Sequence, residues 1–409
     1  MKRTIAAILV IALSALVIVT GCAKKEEVKP VEDVVIELWT QENEKEALPY
    51  LQNLANAYTA AHPNVTFTIT SKETEVLRED FQTSSLAGNA PDLLWTVSDH
   101  AGPFVTAQLI QPVDGLVNMA DYVESVVMNG KAWAVPISAG NHLTFLYNKS
   151  LVPTPPANTD EMIAIAKKLQ SEKKVQYGLV FNQLEPFWLV PWLGGFKGKV
   201  FGADGVTPTL DTPEMVKTLQ FFYDLKFVHK IVPQEADYNA ADTLFKEGKA
   251  AMLINGDWSF SDYATILGAN LGIARIPMVS ATGTYPAPYT SGKYFMVAAD
   301  VTGAQLDAIK DFIVFATSYE NQIVLVNQYK RLPGLKAALA DPIITSDPVL
   351  KGSSEQMSAG TPMPTVLEMR AVWDAMKPEM NKVWGGKATP AEAAAAMQPA
   401  AVAGIAAQK

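Results

Sequence analysis

The chain of 409 residues is acidic, with a formal net charge of −9 and a pI near 5.1. This charge argues against nucleic acid or another phosphate-rich surface as the partner. The length exceeds what one hydrophobic core comfortably organises, and it therefore favours two domains of ordinary size.

The first 21 residues have the layout of a secretory signal peptide. A basic start, Lys2 and Arg3, is followed by an almost entirely apolar run over 5–19 and then by the small residues Thr20 and Gly21. The run is shorter than the ~20 residues that a helix needs to cross a membrane. We therefore expect residues 1–21 to be removed on export. The sequence leaves open whether the host cell has one membrane or two.

Cys22 is the only cysteine of the chain and directly follows this leader. A disulfide would lack a partner within the chain, and a catalytic thiol would lie at the end of a removed segment. The stretch "VTGC" resembles the lipobox of bacterial lipoproteins, although position 19 is Val where Leu is usual. That resemblance implies that Cys22 becomes the N-terminus and carries palmitate-type acyl chains, which anchor a protein firmly when two or more are present. Residues 22–33 are charged and aperiodic, as expected of a tether.

The elements after the tether alternate between strand and helix. Apolar and alternating patterns predict strands at 34–40, 64–70 and 90–98, and helical spacing predicts helices at 44–61 and 75–88 between them. This order is typical of βαβ units in a parallel sheet. Two further short strands are predicted in "KAWAVPI" and "HLTFLYNK".

The second half of the chain carries clearer helix signals. Asn158 with Glu161 forms a predicted capping box, and Thr212 before Pro213 starts another helix. Residues 249–258 read as a strand that ends in a glycine turn, and 294–300 as a strand after a loop over 281–292. From Ala304 onward the pattern is mostly helical.

The sequence contains no motif of the common catalytic classes. GxSxG, P-loop, GxGxxG and HExxH patterns are missing, and the four histidines are not at metal-ligand spacing. We therefore expect no cofactor and no metal site. Because carboxylates are plentiful but their separation is unknown, an exported glycoside hydrolase stays open as an alternative. A surface adhesin with a blocked cleft is a third class.

Eight tryptophans are distributed through the chain. An indole can stack on the C–H face of a pyranose, so some of them could line a ligand cleft. Trp39 and Trp133 lie in strand-like runs and are expected in the core, whereas Trp192 fits either place.

The segments "FNQLEPFWLVPWLGG" (181–195) and "AMLINGDWSF" (251–260) resemble maltose- and maltodextrin-binding proteins of ATP-binding-cassette importers. Further matches, such as "LYNKSLVP" and "PMPTVLEMRAVWDAMKPEM", follow in family order from Val34 to the C-terminus. The resemblance implies an α/β, two-lobed, type II periplasmic-binding-protein-like fold, with a mixed sheet flanked by helices in each lobe and a hinge between them. It places lobe one at 31–140 plus 290–343 and lobe two at 141–289 plus 344–409.

The resemblance also implies a set of sugar-binding residues. Two stacking tryptophans and the residues of the "EPF" segment come from one lobe, and a hydroxyl-binding aspartate with its neighbour from the other; they are Trp258, Trp373, Glu185, Phe187, Asp99 and His100. Lys377 stands where the maltose branch has arginine, one helical turn after Trp373. Pro378 follows directly and disfavours helical geometry at Lys377.

Three departures alter the polar groups of this implied site. The family tryptophan near Asp99 aligns with Thr96, and Trp95 could reach a sugar only if the strand register slips. A family glutamate is replaced by Gly140 or Asn141. The first polar loop offers Glu42, Asn43 and Glu44 in place of an aspartate–lysine pair.

We therefore expect a monomeric, membrane-anchored protein that captures a glucan-type oligosaccharide, with oligomers preferred to maltose, and delivers it to transmembrane permease subunits. Because the family that it resembles binds and delivers its ligand, the resemblance also implies no enzymatic activity.

Overall fold

The structure is a computed structural model that describes residues 32–123 and 125–408. The predicted leader, Cys22 and most of the tether lie outside these residues. The strands are β1 Val34–Thr40, β2 Val65–Ser71, β3 Leu93–Val97, β4 Val127–Met128, β5 Lys131–Ala132, β6 Val135–Gly140, β7 Leu143–Asn148, β8 Tyr177–Phe181, β9 Ala250–Gly256, β10 Leu271–Ala274, β11 Tyr289–Val297, β12 Leu332–Pro333 and β13 Thr361–Pro362.

The α-helices lie between and after these strands. They are α1 Leu48–Ala61, α2 Thr74–Leu86, α3 Ala101–Thr106, α4 Thr159–Ser171, α5 Val190–Gly195, α6 Pro213–Tyr223, α7 Tyr238–Lys246, α8 Phe260–Leu267, α9 Gly303–Ala316, α10 Tyr319–Tyr329, α11 Lys336–Leu339, α12 Ile343–Ser346, α13 Pro348–Met357, α14 Glu368–Trp384 and α15 Pro390–Ala407. Within the described residues, no helix is both long and apolar enough to cross a membrane.

The larger sheet has the strand order β12-β6-β11-β3-β1-β2, with β13 paired to β11. β1 runs parallel to β2 and β3, as the strand–helix alternation predicts, whereas β11 runs antiparallel to β3 and β6. Its core is lined by apolar side chains such as Ile36, Leu38 and Phe295, which are fully buried. We call this sheet and its helices lobe one.

The smaller sheet has the order β10-β7-β9-β8, in which β8 and β9 are parallel and the other pairs antiparallel. Its core includes Met162 of α4, Leu219 of α6, Met376 of α14 and Met397 of α15. We call this sheet and its helices lobe two. Both sheets are mixed, so the α/β class is confirmed.

The chain passes from β6 of lobe one to β7 of lobe two through Gly140, Asn141 and His142. It returns to lobe one at β11. Gly140 and Asn141 both have positive φ, 113° and 44°, so the backbone turns sharply at this passage. The residue ranges expected for the lobes stay a prediction.

Several local expectations need correction. α1 begins at Leu48 rather than Glu44, because Asn43–Glu46 form a turn whose Asn43 carbonyl accepts the N–H of Glu46. β11 begins at Tyr289, within the segment expected as a loop, since its backbone pairs with β13 and β6. The capping box of α4 is incomplete. Asn158 accepts the N–H of Glu161, but the Glu161 carboxylate accepts the N–H of Ala157 instead of that of Asn158.

Candidate functional site

An aromatic cluster in lobe two consists of Phe187, Trp188, Tyr238 and Trp258. Trp258 lies in a short turn directly after β9, with its ring centroid 6.3 Å from that of Phe187 and 6.2 Å from that of Trp188. Its indole N–H donates to the Tyr238 hydroxyl over 3.0 Å. A Cβ on Gly256 would lie 2.1 Å from the Trp258 ring, so a glycine there lets the indole lie against the backbone. The Trp258 ring is thus held in one orientation and is only partly buried.

Trp373 on α14 is the second partly buried tryptophan of lobe two, and it meets lobe one. Its ring packs edge-on against Tyr289, with centroids 6.1 Å apart. Trp373 also lines one small cavity together with Asp99, which lies in the short turn after β3. Burial, reinforced by the negative charge of Glu75, raises the pKa of Asp99 to about 6. Asp99 and Trp373, from opposite lobes, therefore share one surface.

The lobes also meet through charged side chains beside this contact. Arg370 of α14 forms an ion pair with Glu75 of α2, which accepts a second bond from Arg78 over 3.0 Å. A small cavity separates the lobes here and is lined by Glu75, Arg78, Asp99, Pro103, Met369, Arg370 and Trp373.

Glu185 and Lys377, both of lobe two, form an ion pair with each other. α14 continues through Pro378 to Trp384, so the expectation that Pro378 disturbs the helix at Lys377 is wrong. The proline removes one backbone donor, yet the buried face of the helix, with Met376 and Met380, remains packed in lobe two. Trp373 and Lys377 therefore do lie one helical turn apart.

The first polar loop separates into an exposed part and a buried part. Asn43 and Glu44 are exposed, and the Asn43 side chain accepts the N–H of Lys45 over 3.0 Å. Glu42 is fully buried and receives two bonds from the Arg331 guanidinium, over 2.8 and 2.7 Å. Although burial opposes ionisation, Arg331 lowers the pKa of Glu42 to about 2. Glu42 is thus committed to a structural ion pair, which leaves Asn43 and Glu44 as the accessible groups.

Asn141 lies in the passage between the lobes and is partly buried. Its backbone N–H donates to the Asp257 carboxylate over 3.0 Å. Asp257 directly precedes Trp258, so the aromatic cluster and the passage are joined through one side chain.

Two residues implied by the resemblance do not reach this surface. Trp95 is fully buried in lobe one, edge-on to Tyr50 and Phe295 at 6.2 and 5.6 Å, and β3 keeps its regular register with β1 and β11. No slip therefore exposes it. His100 is 1% exposed, and its Nδ1 is bonded to the Thr96 hydroxyl at 2.8 Å. Burial lowers the pKa of His100 to about 3, so at neutral pH it cannot replace a basic neighbour of Asp99.

The remaining tryptophans with a stated expectation lie in or against the cores. Trp192 is fully buried in lobe two. Trp133 and Trp39 are partly buried and pack against the core of lobe one, where the Trp133 indole donates to the Met128 carbonyl over 3.0 Å.

Four residues of the site escaped sequence reasoning. Trp188 and Tyr238 belong to the aromatic cluster, Nζ of Lys293 lies 5.8 Å from the centroid of the Trp258 ring, and the charge of Glu46 acts on Tyr238. Lys293 had a usable signal, because it is a lone charge within the buried run of β11. Burial and the charge of Glu42 raise the pKa of Glu46 to about 8.

Across the described residues, no group of three or more His, Cys, Asp or Glu side chains is placed to hold a metal ion.

Comparison with known proteins gives consistent matches. A family profile described as "Bacterial extracellular solute-binding protein" matches residues 53–352. The maltotriose-binding protein of Pyrococcus abyssi is 28% identical over 348 residues, which cover 82% of this chain and 74% of that protein. The galactooligosaccharide-binding protein of Bacillus subtilis is 26% identical over 332 residues, 77% of each chain. A solved maltose/maltodextrin-binding domain from Bdellovibrio bacteriovorus, bound to maltotriose, is 36% identical with a TM-score of 0.86, covering 91% of this chain and all of that one.

Proposed function

The chain belongs to the bacterial extracellular solute-binding proteins, which have a two-lobed fold, and we propose that it is the sugar-binding component of an ATP-binding-cassette importer. It captures a maltodextrin-type oligosaccharide between the lobes and presents it to the permease subunits. The matched proteins bind sugars rather than transform them, so neither the hydrolase nor the adhesin alternative draws support from them.

The observation that carries the proposal is the meeting of aromatic and polar groups from opposite lobes. Trp258 and Trp373 of lobe two present indole rings, and Asp99 of lobe one lines the same small cavity as Trp373. A pyranose stacked on an indole exposes its hydroxyls to acceptors such as Asp99. Because such a sugar touches both lobes, binding and lobe closure are one coupled event.

Equilibrium titration of the chain without its leader tests the sugar class. Maltose, maltotriose, a cyclodextrin, a galactooligosaccharide and an amino acid are compared by tryptophan fluorescence and calorimetry. We expect saturable binding of maltotriose that is tighter than that of maltose. Saturable binding of the amino acid but of no sugar would contradict the proposal, and so would shortening of maltotriose that a single carboxylate substitution abolishes.

Substitutions then test the stacking residues. Trp258→Ala and Trp373→Ala should each weaken maltotriose binding by about 2 kcal/mol, roughly thirtyfold, as is common for a buried aromatic anchor. Trp133→Ala is the matched control, since Trp133 packs on the core of lobe one. It should lower the melting temperature and leave the affinity unchanged.

Membrane anchoring is proposed through Cys22, in keeping with a family described as extracellular. Mass spectrometry of protein extracted from membranes should show an acylated Cys22 as the N-terminal residue. An intact leader, or an unmodified Cys22 after cleavage, refutes the anchor without affecting the sugar proposal.

A further inference from the structure

Lys293 is a buried lysine in the middle of the larger sheet. It lies on β11, where its backbone pairs with Val97 of β3 and Ser138 of β6, and it is 7% exposed. Among the residues that the structure describes, its ammonium forms no hydrogen bond or ion pair. Burying an ammonium without protein partners is costly, because only the small part of Nζ that solvent still reaches can bond to water.

Charges around Lys293 stabilise it only through space. The attractive charges are Glu42 and Asp257, joined by Glu46 only when it ionises near its pKa of about 8, and Arg331 opposes them. Two of the carboxylates are already bound, Glu42 to Arg331 and Asp257 to the N–H of Asn141. Burial lowers the pKa of Lys293, and the carboxylates act against that effect. The carboxylates thus offset part of the cost of burying the ammonium, yet they form no hydrogen bond with its donors.

The ammonium points from lobe one toward the aromatic cluster of lobe two. Its Nζ lies over the Trp258 ring, 5.8 Å from the centroid. Trp258 cannot turn away, because Tyr238 holds its N–H and Gly256 lies against its ring. A pyranose stacked on the indole would therefore present its hydroxyls beside the unused donors of Lys293.

We propose that Lys293 is a sugar-binding residue that donates hydrogen bonds to hydroxyls of the pyranose stacked on Trp258. This inference rests on the proposed function and adds a lobe-one contact outside the set implied by the sequence. An oligosaccharide supplies the neutral oxygen acceptors that the ammonium lacks. Lys293 and Trp258 then hold one ring from opposite lobes.

The test compares Lys293→Met with Lys226→Met in maltotriose titrations. Lys226 is equally buried at 7% exposed, but its ammonium donates to the Trp384 carbonyl inside lobe two. Since hydrogen bonds from charged donors are stronger than neutral ones, Lys293→Met should weaken binding at least tenfold. Lys226→Met should lower the melting temperature and leave the affinity within about twofold.

A panel of monodeoxy maltotrioses separates ligand contact from a structural role. The wild type should lose affinity for at least one analogue, and Lys293→Met should lose less for that same analogue. Equal binding of maltotriose by the wild type and Lys293→Met overturns the role of Lys293 alone, whereas failure of the wild type to bind any maltodextrin overturns the proposed function. If Lys293→Met does not fold, a crystal structure of the wild type with maltotriose decides. A hydroxyl within hydrogen-bond distance of Nζ supports the inference, and its absence refutes it.

Discussion

Arg331→Met probes the ion pair that anchors the first polar loop. Arg331 is 2% exposed and binds the fully buried Glu42 carboxylate through both terminal nitrogens. Glu42 in turn accepts the N–H of Ala47, just before α1, over 3.1 Å. Removing the guanidinium leaves Glu42 with an uncompensated buried charge, which typically destabilises a protein by roughly 3–5 kcal/mol.

The loss should depend on pH in a defined direction. In the wild type, Arg331 outweighs burial and lowers the pKa of Glu42 from 4.5 to about 2. The pair therefore contributes its full stability above pH 4.5 and loses it as the pH falls toward 2. Without Arg331, burial raises the pKa of Glu42, so the variant gains by protonating it. The deficit in unfolding free energy should thus be largest near pH 7.5 and shrink toward pH 4.

Urea denaturation at pH 7.5, 5.5 and 4.0 measures this deficit. The double variant Glu42→Gln/Arg331→Met should recover most of it, since both buried charges are gone. Lys330→Met is the matched control, because the ion pair of Lys330 with Asp347 is partly exposed, at 24% and 15%, and should contribute no more than about 1 kcal/mol. A deficit below about 1 kcal/mol for Arg331→Met, or one that is the same at all three pH values, would refute the reasoning.

Three other predictions concern single groups at the lobe interface. Glu46→Gln should become increasingly more stable than the wild type as the pH rises from 4.5 to about 8, because burial and Glu42 raise the pKa of Glu46 in the folded state. Urea titrations across this pH range measure the difference in unfolding free energy, and a constant difference would contradict the prediction. The maltotriose affinity of the wild type should decline between pH 7 and 5, since the pKa of Asp99 is about 6 and its carboxylate is the proposed acceptor, and Asp99→Asn should flatten this decline. Calorimetry at each pH measures the affinity, and an unchanged pH profile in the variant counts against the role of Asp99. Arg370→Ala should open the ligand-free lobes, because it removes the ion pair with Glu75, and X-ray scattering should show a larger radius of gyration. Lys382→Ala, which breaks an ion pair within α14, should leave the radius of gyration unchanged.

Much of the fold could be predicted because its signals are local. The alternation of strand and helix patterns over 34–98 predicts the parallel arrangement of β1, β2 and β3, since each strand and helix must bury one face. Thr212 accepts the N–H of Met215 and begins α6 as expected. The family resemblance could be recognised for the same reason, because the segments that carry it are short and contiguous.

Boundaries that depend on distant partners were less accessible. β11 extends back to Tyr289 only because β13 pairs with it there. The prolines and glycines of residues 281–292, taken alone, favour a loop. α1 starts late because the Asn43–Glu46 turn precedes it, and the buried Glu42 that accepts the N–H of Ala47 at its start is held by Arg331 from 289 residues away.

The sequence by itself determined the class of the protein, the strand–helix order and the identity of the residue types that can bind a sugar. Only the tertiary structure decided which of them share a surface. Trp95 and Thr96 both lie buried in lobe one, whereas Lys293 of β11 lies over Trp258 of the other lobe. Periodicity reports the face of an element, but a site between lobes is set by how separate elements pack, and that packing depends on contacts between residues far apart in the chain.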